Sequence, residues 1–115
     1  MNTIDNDFLN VVSDGEITNS SNILEQIAFV KRGIKVDTID LLGQKIKWKP
    51  TVLAKAIGTT ATTLERHRKN KASLRLSVSE NALELAKLAT FAIRFFGNIE
   101  RWNEWLNTAN VQFDN

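Results

Sequence analysis

The sequence predicts an all-α domain of about five helices that includes a helix-turn-helix. Apolar residues recur at helical spacing from residue 23 onward, glycines or capping residues mark the breaks, and the single proline, Pro50, suits the start of a helix. The 115 residues are enough for one domain with its own core and too few for two. Because the chain has no cysteine, neither disulfides nor thiolate-bound metals can stabilise it.

Residues 1–19 are predicted to form a disordered acidic tail. They are rich in Asn, Asp, Ser and Thr and show no sustained hydrophobic period. The first seven residues carry no base and no apolar run of the kind found in a secretion signal. No apolar stretch approaches the roughly 20 residues that cross a bilayer. We therefore expect a cytoplasmic protein without a membrane segment.

The first helix is predicted over residues 23–32. Asn22 and Glu25 have the spacing of a capping box, and Gly33 is a stop signal. Apolar residues follow at intervals of four, three and four, which is the spacing of a helix: Ile23, Ile27, Val30 and Ile34.

A short second helix is predicted to begin at a cap on Asp37 and to end or weaken at Gly43. Beyond it, residues 44–49 alternate apolar side chains with lysines, a pattern typical of a short extended segment.

The helix-turn-helix is predicted over residues 50–69. Pro50 opens its first helix, Ala54 is small where two helices would cross closely, and Gly58 supplies the positive φ of the turn. Thr60 can cap the second helix. The shared core would consist of Leu53, Ile57 and Leu64. An ordinary helical hairpin is the alternative interpretation of this spacing.

Positive charge is concentrated around this segment. Residues 45–75 contain nine Lys or Arg and a single acidic residue, Glu65, whereas residues 1–30 contain five acidic residues and no base. A basic block of this kind can neutralise phosphates and is typical of nucleic-acid binding. A solvated face, or contact with an acidic partner, remains an alternative.

If the motif binds DNA, residues 60–70 form the recognition helix. The candidate base-reading residues are Thr60, Thr62, Thr63, Glu65 and Arg66. Arg66 is the strongest of them because a guanidinium reads guanine with two hydrogen bonds. Glu65 can accept from cytosine or pair with Lys69 one turn later. The candidate phosphate contacts, each of which could also be simply solvated, are Lys55, Arg68, Lys69 and Lys71.

Nothing in the sequence indicates an enzyme, a metal site or a cofactor. The only histidine, His67, has no second histidine and no cysteine with which to build a zinc site or a nucleophilic triad. The five glycines are scattered singly, so no glycine-rich loop can hold a phosphate group.

The C-terminal part is predicted to form two helices. Ser77 and Glu80 have capping-box spacing, Gly97 would end the long helix, and Asn98 would cap the last one. This region has more aromatic residues than two terminal helices can easily bury. We therefore expect some of them to contact a partner or a second subunit, the candidates being Phe91, Phe95, Trp102 and Trp105.

Several short elements occur in a characteristic order along the chain: Ile57-Gly58, Thr63-Leu64-Glu65-Arg66, Leu76-Ser77, Leu85-Ala86-Lys87-Leu88-Ala89, Phe96-Gly97 and Trp105-Leu106-Asn107-Thr108. With them the chain resembles the Xre/MbcA/ParS antitoxin family over about residues 33–110. The resemblance implies a DNA-binding domain over residues 20–75 and a toxin-binding region over residues 76–115. It also implies a RES-domain toxin as partner, repression of the antitoxin's own operon, and a homodimer.

Two positions depart from the family's pattern. Ala109 stands where the family usually has proline, and the chain ends at Asn115 where the toxin-binding region normally continues. The toxin-binding region is therefore expected to be shortened. Two other functions stay open, namely a stand-alone repressor without a toxin and a protein-interaction module that binds no DNA.

Overall fold

A computed structural model describes residues 7–108, and these residues form an all-α compact globule. The prediction of an all-α fold is confirmed, but the described residues contain seven helices rather than five. In chain order they are α1 (Phe8–Val12), α2 (Ile23–Arg32), α3 (Val36–Ile46), α4 (Pro50–Ala56), α5 (Ala61–Asn70), α6 (Leu76–Phe96) and α7 (Ile99–Thr108). Extended backbone within residues 7–108 pairs in one isolated bridge, between Lys35 and Ser73.

The prediction of a disordered tail is wrong for residues 7–19. Asp7 caps α1 by accepting a hydrogen bond from the Leu9 amide at 3.1 Å, and its other oxygen accepts from the Asn19 amide at 2.8 Å. Phe8, Leu9 and Val12 are almost completely buried. Their spacing along one turn directs them to the same side of α1, which packs against α3 and α6. Residues 1–6, the rest of the predicted tail, lie outside the described residues.

Helix α2 has the bounds that its caps predict. The Glu25 amide donates to the side chain of Asn22 at 2.8 Å, and the Asn22 amide donates to the side chain of Glu25 at 3.0 Å. Both bonds of the capping box are therefore present, and Gly33 ends the helix with a φ of 87°.

Helix α3 is longer than predicted because Gly43 lies inside it. A Cβ atom at this position would come within 2.7 Å of the Leu53 side chain, so glycine allows α3 and α4 to approach closely. The helix continues to Ile46 and ends on Lys47 in the left-handed conformation. The predicted cap at Asp37 and the predicted extended segment over residues 44–49 are both wrong, since α3 starts at Val36 and includes residues 44–46.

Helix α6 forms the centre of the packing and contacts α1, α2, α3 and α7. It begins one residue before Ser77, and no side chain caps it, so the predicted capping box is wrong. Instead Ser79, fully buried, accepts from the Ile34 amide at 3.0 Å and donates to the Leu74 carbonyl at 3.1 Å. The helix ends at Gly97 as predicted.

Helix α7 starts after Asn98, whose side chain accepts from the Arg101 amide at 2.8 Å, as its predicted capping role requires. Trp48 ties the start of the helix-turn-helix segment to α7 by donating from its indole to Asn103 at 2.7 Å. Within the part of the chain that is described, none of the helices has the length and hydropathy needed to cross a membrane.

Candidate nucleic-acid interface

Helices α4 and α5 lie where the sequence predicts the two helices of the motif. Pro50 is in the first turn of α4, and the turn between the helices contains Gly58 with a φ of 85°. This left-handed conformation is strained for any residue with a side chain, which explains glycine at this position. The side chains predicted to form the shared core are all buried: Leu53, Ala54, Ile57 and Leu64.

The turn is attached to α6 by a residue that the sequence did not reveal. Asn81 donates from its side-chain nitrogen to the Ile57 carbonyl at 3.1 Å. A Cβ atom at Gly58 would lie 3.0 Å from the same nitrogen, so the turn and α6 are in close contact. A lone asparagine on a helix gives no sequence signal of a bond 24 residues away.

Two of the predicted base-reading threonines stabilise the start of α5. The Thr60 hydroxyl accepts from the Thr63 amide at 3.1 Å and lies 3.0 Å from the Thr63 hydroxyl. Thr60 is therefore the N-cap that the sequence predicts. Thr62 is exposed, and its hydroxyl remains available for an external partner.

Helix α5 presents one exposed polar face outward. Thr62, Arg66 and Lys69 follow one another at intervals of four and three residues, so they share one side of the helix. Lys71, just past its end, and Lys55 on α4 are exposed as well. Within residues 7–108, none of these four basic side chains forms an ion pair. Their charges are therefore available to an anionic partner.

Arg68 differs from the other predicted phosphate contacts. Its guanidinium donates to both carboxylate oxygens of Asp40, from Nε at 2.8 Å and from Nη2 at 2.7 Å, and it also pairs with Glu65. The pKa of Arg68 is raised above its ordinary value, mainly by the hydrogen bond with Asp40. The pair with Asp40 fastens α5 to α3, whereas the pair with Glu65 lies within α5, and together they occupy Arg68 and Glu65 inside the protein.

We expect Asp40→Asn to weaken this attachment. Asp40 and Arg68 are each about one-third exposed, and the amide loses the charge that strengthens both hydrogen bonds, so the free energy of unfolding should fall by about 1 kcal/mol. Urea denaturation followed by circular dichroism measures the change. Glu104→Gln is the matched control because Glu104 is exposed and forms no ion pair within residues 7–108. Equal midpoints for the two variants would contradict the attachment.

His67 is half-buried on α5, and its Nδ1 lies 2.9 Å from the Thr63 carbonyl. A histidine in this position interacts with its own helix. The described residues contain no cluster of histidines and carboxylates suited to a metal ion.

The four predicted contact aromatics do not form one surface. Phe91, Phe95 and Trp105 are 63%, 72% and 48% exposed. Trp102 is 2% exposed and packs against the Trp48 ring at a centroid distance of 5.5 Å. Its prediction as a contact residue is therefore wrong, because it lies on the face of α7 that joins the core.

The structure thus brings Thr62, Arg66 and Lys69 together on α5 and separates them from the exposed aromatics of α6 and α7. Comparison with protein families, with curated proteins and with solved structures found no match for this chain.

Proposed function

We propose that this chain is a type II antitoxin of the cytoplasm that binds operator DNA through α4 and α5 and neutralises a RES-domain toxin. The observation that carries the DNA-binding part is the exposed face of Thr62, Arg66 and Lys69, whose two bases form no ion pair within residues 7–108. It lies within the stretch of nine bases and one acid over residues 45–75.

In the proposed complex, α5 enters the major groove. Arg66 donates two hydrogen bonds to one guanine, and Thr62 contacts the neighbouring base or phosphate. Lys55, Lys69 and Lys71 neutralise phosphates, which sets the position of the helix without reading sequence. The pairing of Arg68 with Asp40 keeps α5 in one orientation against α3 while it does so. A homodimer presents two such helices to an operator with two half-sites.

The toxin-binding part is supported by the family resemblance and by the exposed aromatic side chains at the C-terminal end of the fold. Phe96 connects them, since its ring lies 4.9 Å from that of Phe95 and 5.5 Å from that of Trp105. Exposed aromatic residues are common energetic centres of protein interfaces. Ala109, where the family's pattern has proline, lies outside the described residues.

Two substitutions test the DNA-binding part. Arg66→Ala should weaken binding to a duplex from the chain's own promoter by about 1 to 3 kcal/mol and reduce discrimination against an unrelated duplex. Lys69→Ala should weaken binding to both duplexes equally. It should also make the slope of log affinity against log salt concentration shallower by about the contribution of one phosphate contact. Fluorescence anisotropy over a range of salt concentrations measures both effects.

Arg101→Ala is the control, because Arg101 is exposed on α7 and forms no ion pair within residues 7–108. It should bind both duplexes as the unmodified chain does. Unchanged binding in Arg66→Ala and Lys69→Ala would overturn the assignment of α5 to DNA. If the unmodified chain shows no salt-sensitive duplex binding at all, the basic surface belongs to a protein-interaction module instead.

Neutralisation is tested by co-expression with the product of the neighbouring gene. The proposal expects a complex that survives size-exclusion chromatography and restores growth. Salt-sensitive DNA binding without such a complex would identify a stand-alone repressor.

A further inference from the structure

The outer face of α6 carries apolar side chains that nothing in the described chain covers. Leu76, Leu88, Phe91 and Phe95 are 51%, 52%, 63% and 72% exposed. Together with Glu80 and Glu84 they follow one another at intervals of four, four, four, three and four residues, so they form one stripe along the helix. Single exposed apolar residues are ordinary, whereas an aligned series of them marks a contact surface.

The two ends of this stripe differ in shape. At the N-terminal end, α2 and α6 border a groove of about 380 Å³, in which Ile23, Ile27 and Leu76 are lined on one side by Glu80 and Glu84. At the C-terminal end, the rings of Phe91 and Phe95 stack at a centroid distance of 6.2 Å and project outward. One end is therefore a recess and the other a protrusion.

The charged residues between the two ends are ordered so that an antiparallel second copy brings opposite charges together. Glu80 and Glu84 precede Lys87, which pairs with Glu84 of the same chain at 3.2 Å, and Arg94 follows beyond Phe91. When two α6 helices run antiparallel about the point between residues 85 and 86, Leu76 faces Phe95 and Glu84 faces Lys87, in both directions at once. Glu80 then faces Phe91 of the second copy and lies within one turn of its Arg94. In a parallel pair the two Glu84 side chains would face each other, and so would the two Lys87 side chains.

We propose that this stripe binds a second copy of the chain, with the two α6 helices antiparallel and the Phe91 and Phe95 rings of each copy seated at the α2–α6 groove of the other. In this register Leu76 faces Phe95 and Glu84 faces Lys87 of the other copy, so each contact occurs twice, as a two-fold symmetric interface requires. From Leu76 to Phe95 it spans about 29 Å at the rise of an α-helix, the length of a small helix-pairing interface. This assigns Phe91 and Phe95 to subunit contact and leaves Trp105 for another partner.

The inference specifies the dimer of the proposed function, but its test needs no DNA. Light scattering after size-exclusion chromatography at low salt should give the mass of a dimer for the unmodified chain. Glu84→Lys and Lys87→Glu should each raise the dissociation constant about tenfold or more, because each brings like charges together across the interface. Mixing the two variants should restore the dimer, since opposite charges then face each other again.

Glu104→Lys and Arg101→Glu make the same charge changes on α7, outside the stripe, and should leave the mass unchanged. Circular dichroism confirms that each variant is folded. A monomeric unmodified chain, or a dimer that Glu84→Lys leaves intact, would overturn the proposal. If the dimer is absent but duplex binding is retained, the dimer proposal fails and the DNA-binding proposal stands. If duplex binding is absent but the dimer is retained, the DNA-binding proposal fails and the dimer proposal stands.

The absence of cysteine from the sequence allows a test of orientation. Leu76→Cys and Phe95→Cys, both at exposed positions, should form a disulfide-linked dimer when the two variants are mixed under oxidising conditions. Each variant alone should cross-link much less, because the antiparallel arrangement holds identical positions about 29 Å apart. Stronger cross-linking of each variant to itself than in the mixture would overturn the antiparallel arrangement.

Discussion

Leu9→Ala is expected to lower the free energy of unfolding by about 2 to 5 kcal/mol. Leu9 is 0% exposed on α1, and its removal would leave a cavity where α1 packs against α3 and α6. Because Thr90 on α6 accepts from the Phe8 amide at 3.0 Å, α1 is held in place and cannot easily close such a cavity. Urea denaturation followed by circular dichroism measures the loss.

Asn10→Ala is the matched control within the same helix, since the Asn10 side chain is partly exposed and alanine favours helix. Its free energy of unfolding should change by less than about 0.5 kcal/mol. If Leu9→Ala unfolds at the same urea concentration as Asn10→Ala, α1 does not belong to the core and residues 7–19 behave as the tail that their composition predicts.

Gly33→Ala is expected to destabilise the protein by about 2 kcal/mol or more, for two reasons that add. The φ of 87° at this position is rarely adopted by residues with a side chain. The new Cβ atom would also lie 2.8 Å from the Ser73 Cβ atom and 2.9 Å from the Leu74 carbonyl oxygen. The second contact involves backbone that is hydrogen-bonded to Ile34 and cannot move aside without breaking that bond.

Gly97→Ala separates the two contributions. Gly97 has a φ of 95° but nothing within 4 Å of an added Cβ atom, so this variant meets only the backbone strain. Thermal and urea unfolding should therefore show a smaller loss for Gly97→Ala than for Gly33→Ala. Equal losses would show that residues 73–74 move away from the added Cβ atom without lowering the free energy of unfolding.

Several signals that act within one helical turn predicted their elements correctly, whereas the cap at Asp37 and the capping box of Ser77 and Glu80 are not formed. The capping box of Asn22, the proline at the start of α4, the cap at Thr60 and the stop at Gly97 each depend on backbone groups no more than four residues away. The same holds for the exposed face of α5, because helical spacing alone places Thr62, Arg66 and Lys69 together. These features could be predicted since their physical cause is local.

Other wrong predictions concern residues whose partners are distant in sequence. Gly43 lies inside α3, where the absence of a side chain leaves room for Leu53, and Trp102 is buried against Trp48. Composition predicts a tail over residues 7–19, but contacts with α6, more than 70 residues further on, hold Phe8 and Leu9 in the core.

The sequence by itself determined the all-α class, most helix ends and the concentration of positive charge around α4 and α5. Only the tertiary structure decided which bases keep their charge free, since Arg68 is bound to Asp40 on another helix while Arg66 and Lys69 are not. It also decided which aromatics reach the surface. Helix periodicity and caps arise from neighbouring residues, whereas burial and ion pairing arise from segments that meet only after the chain has folded.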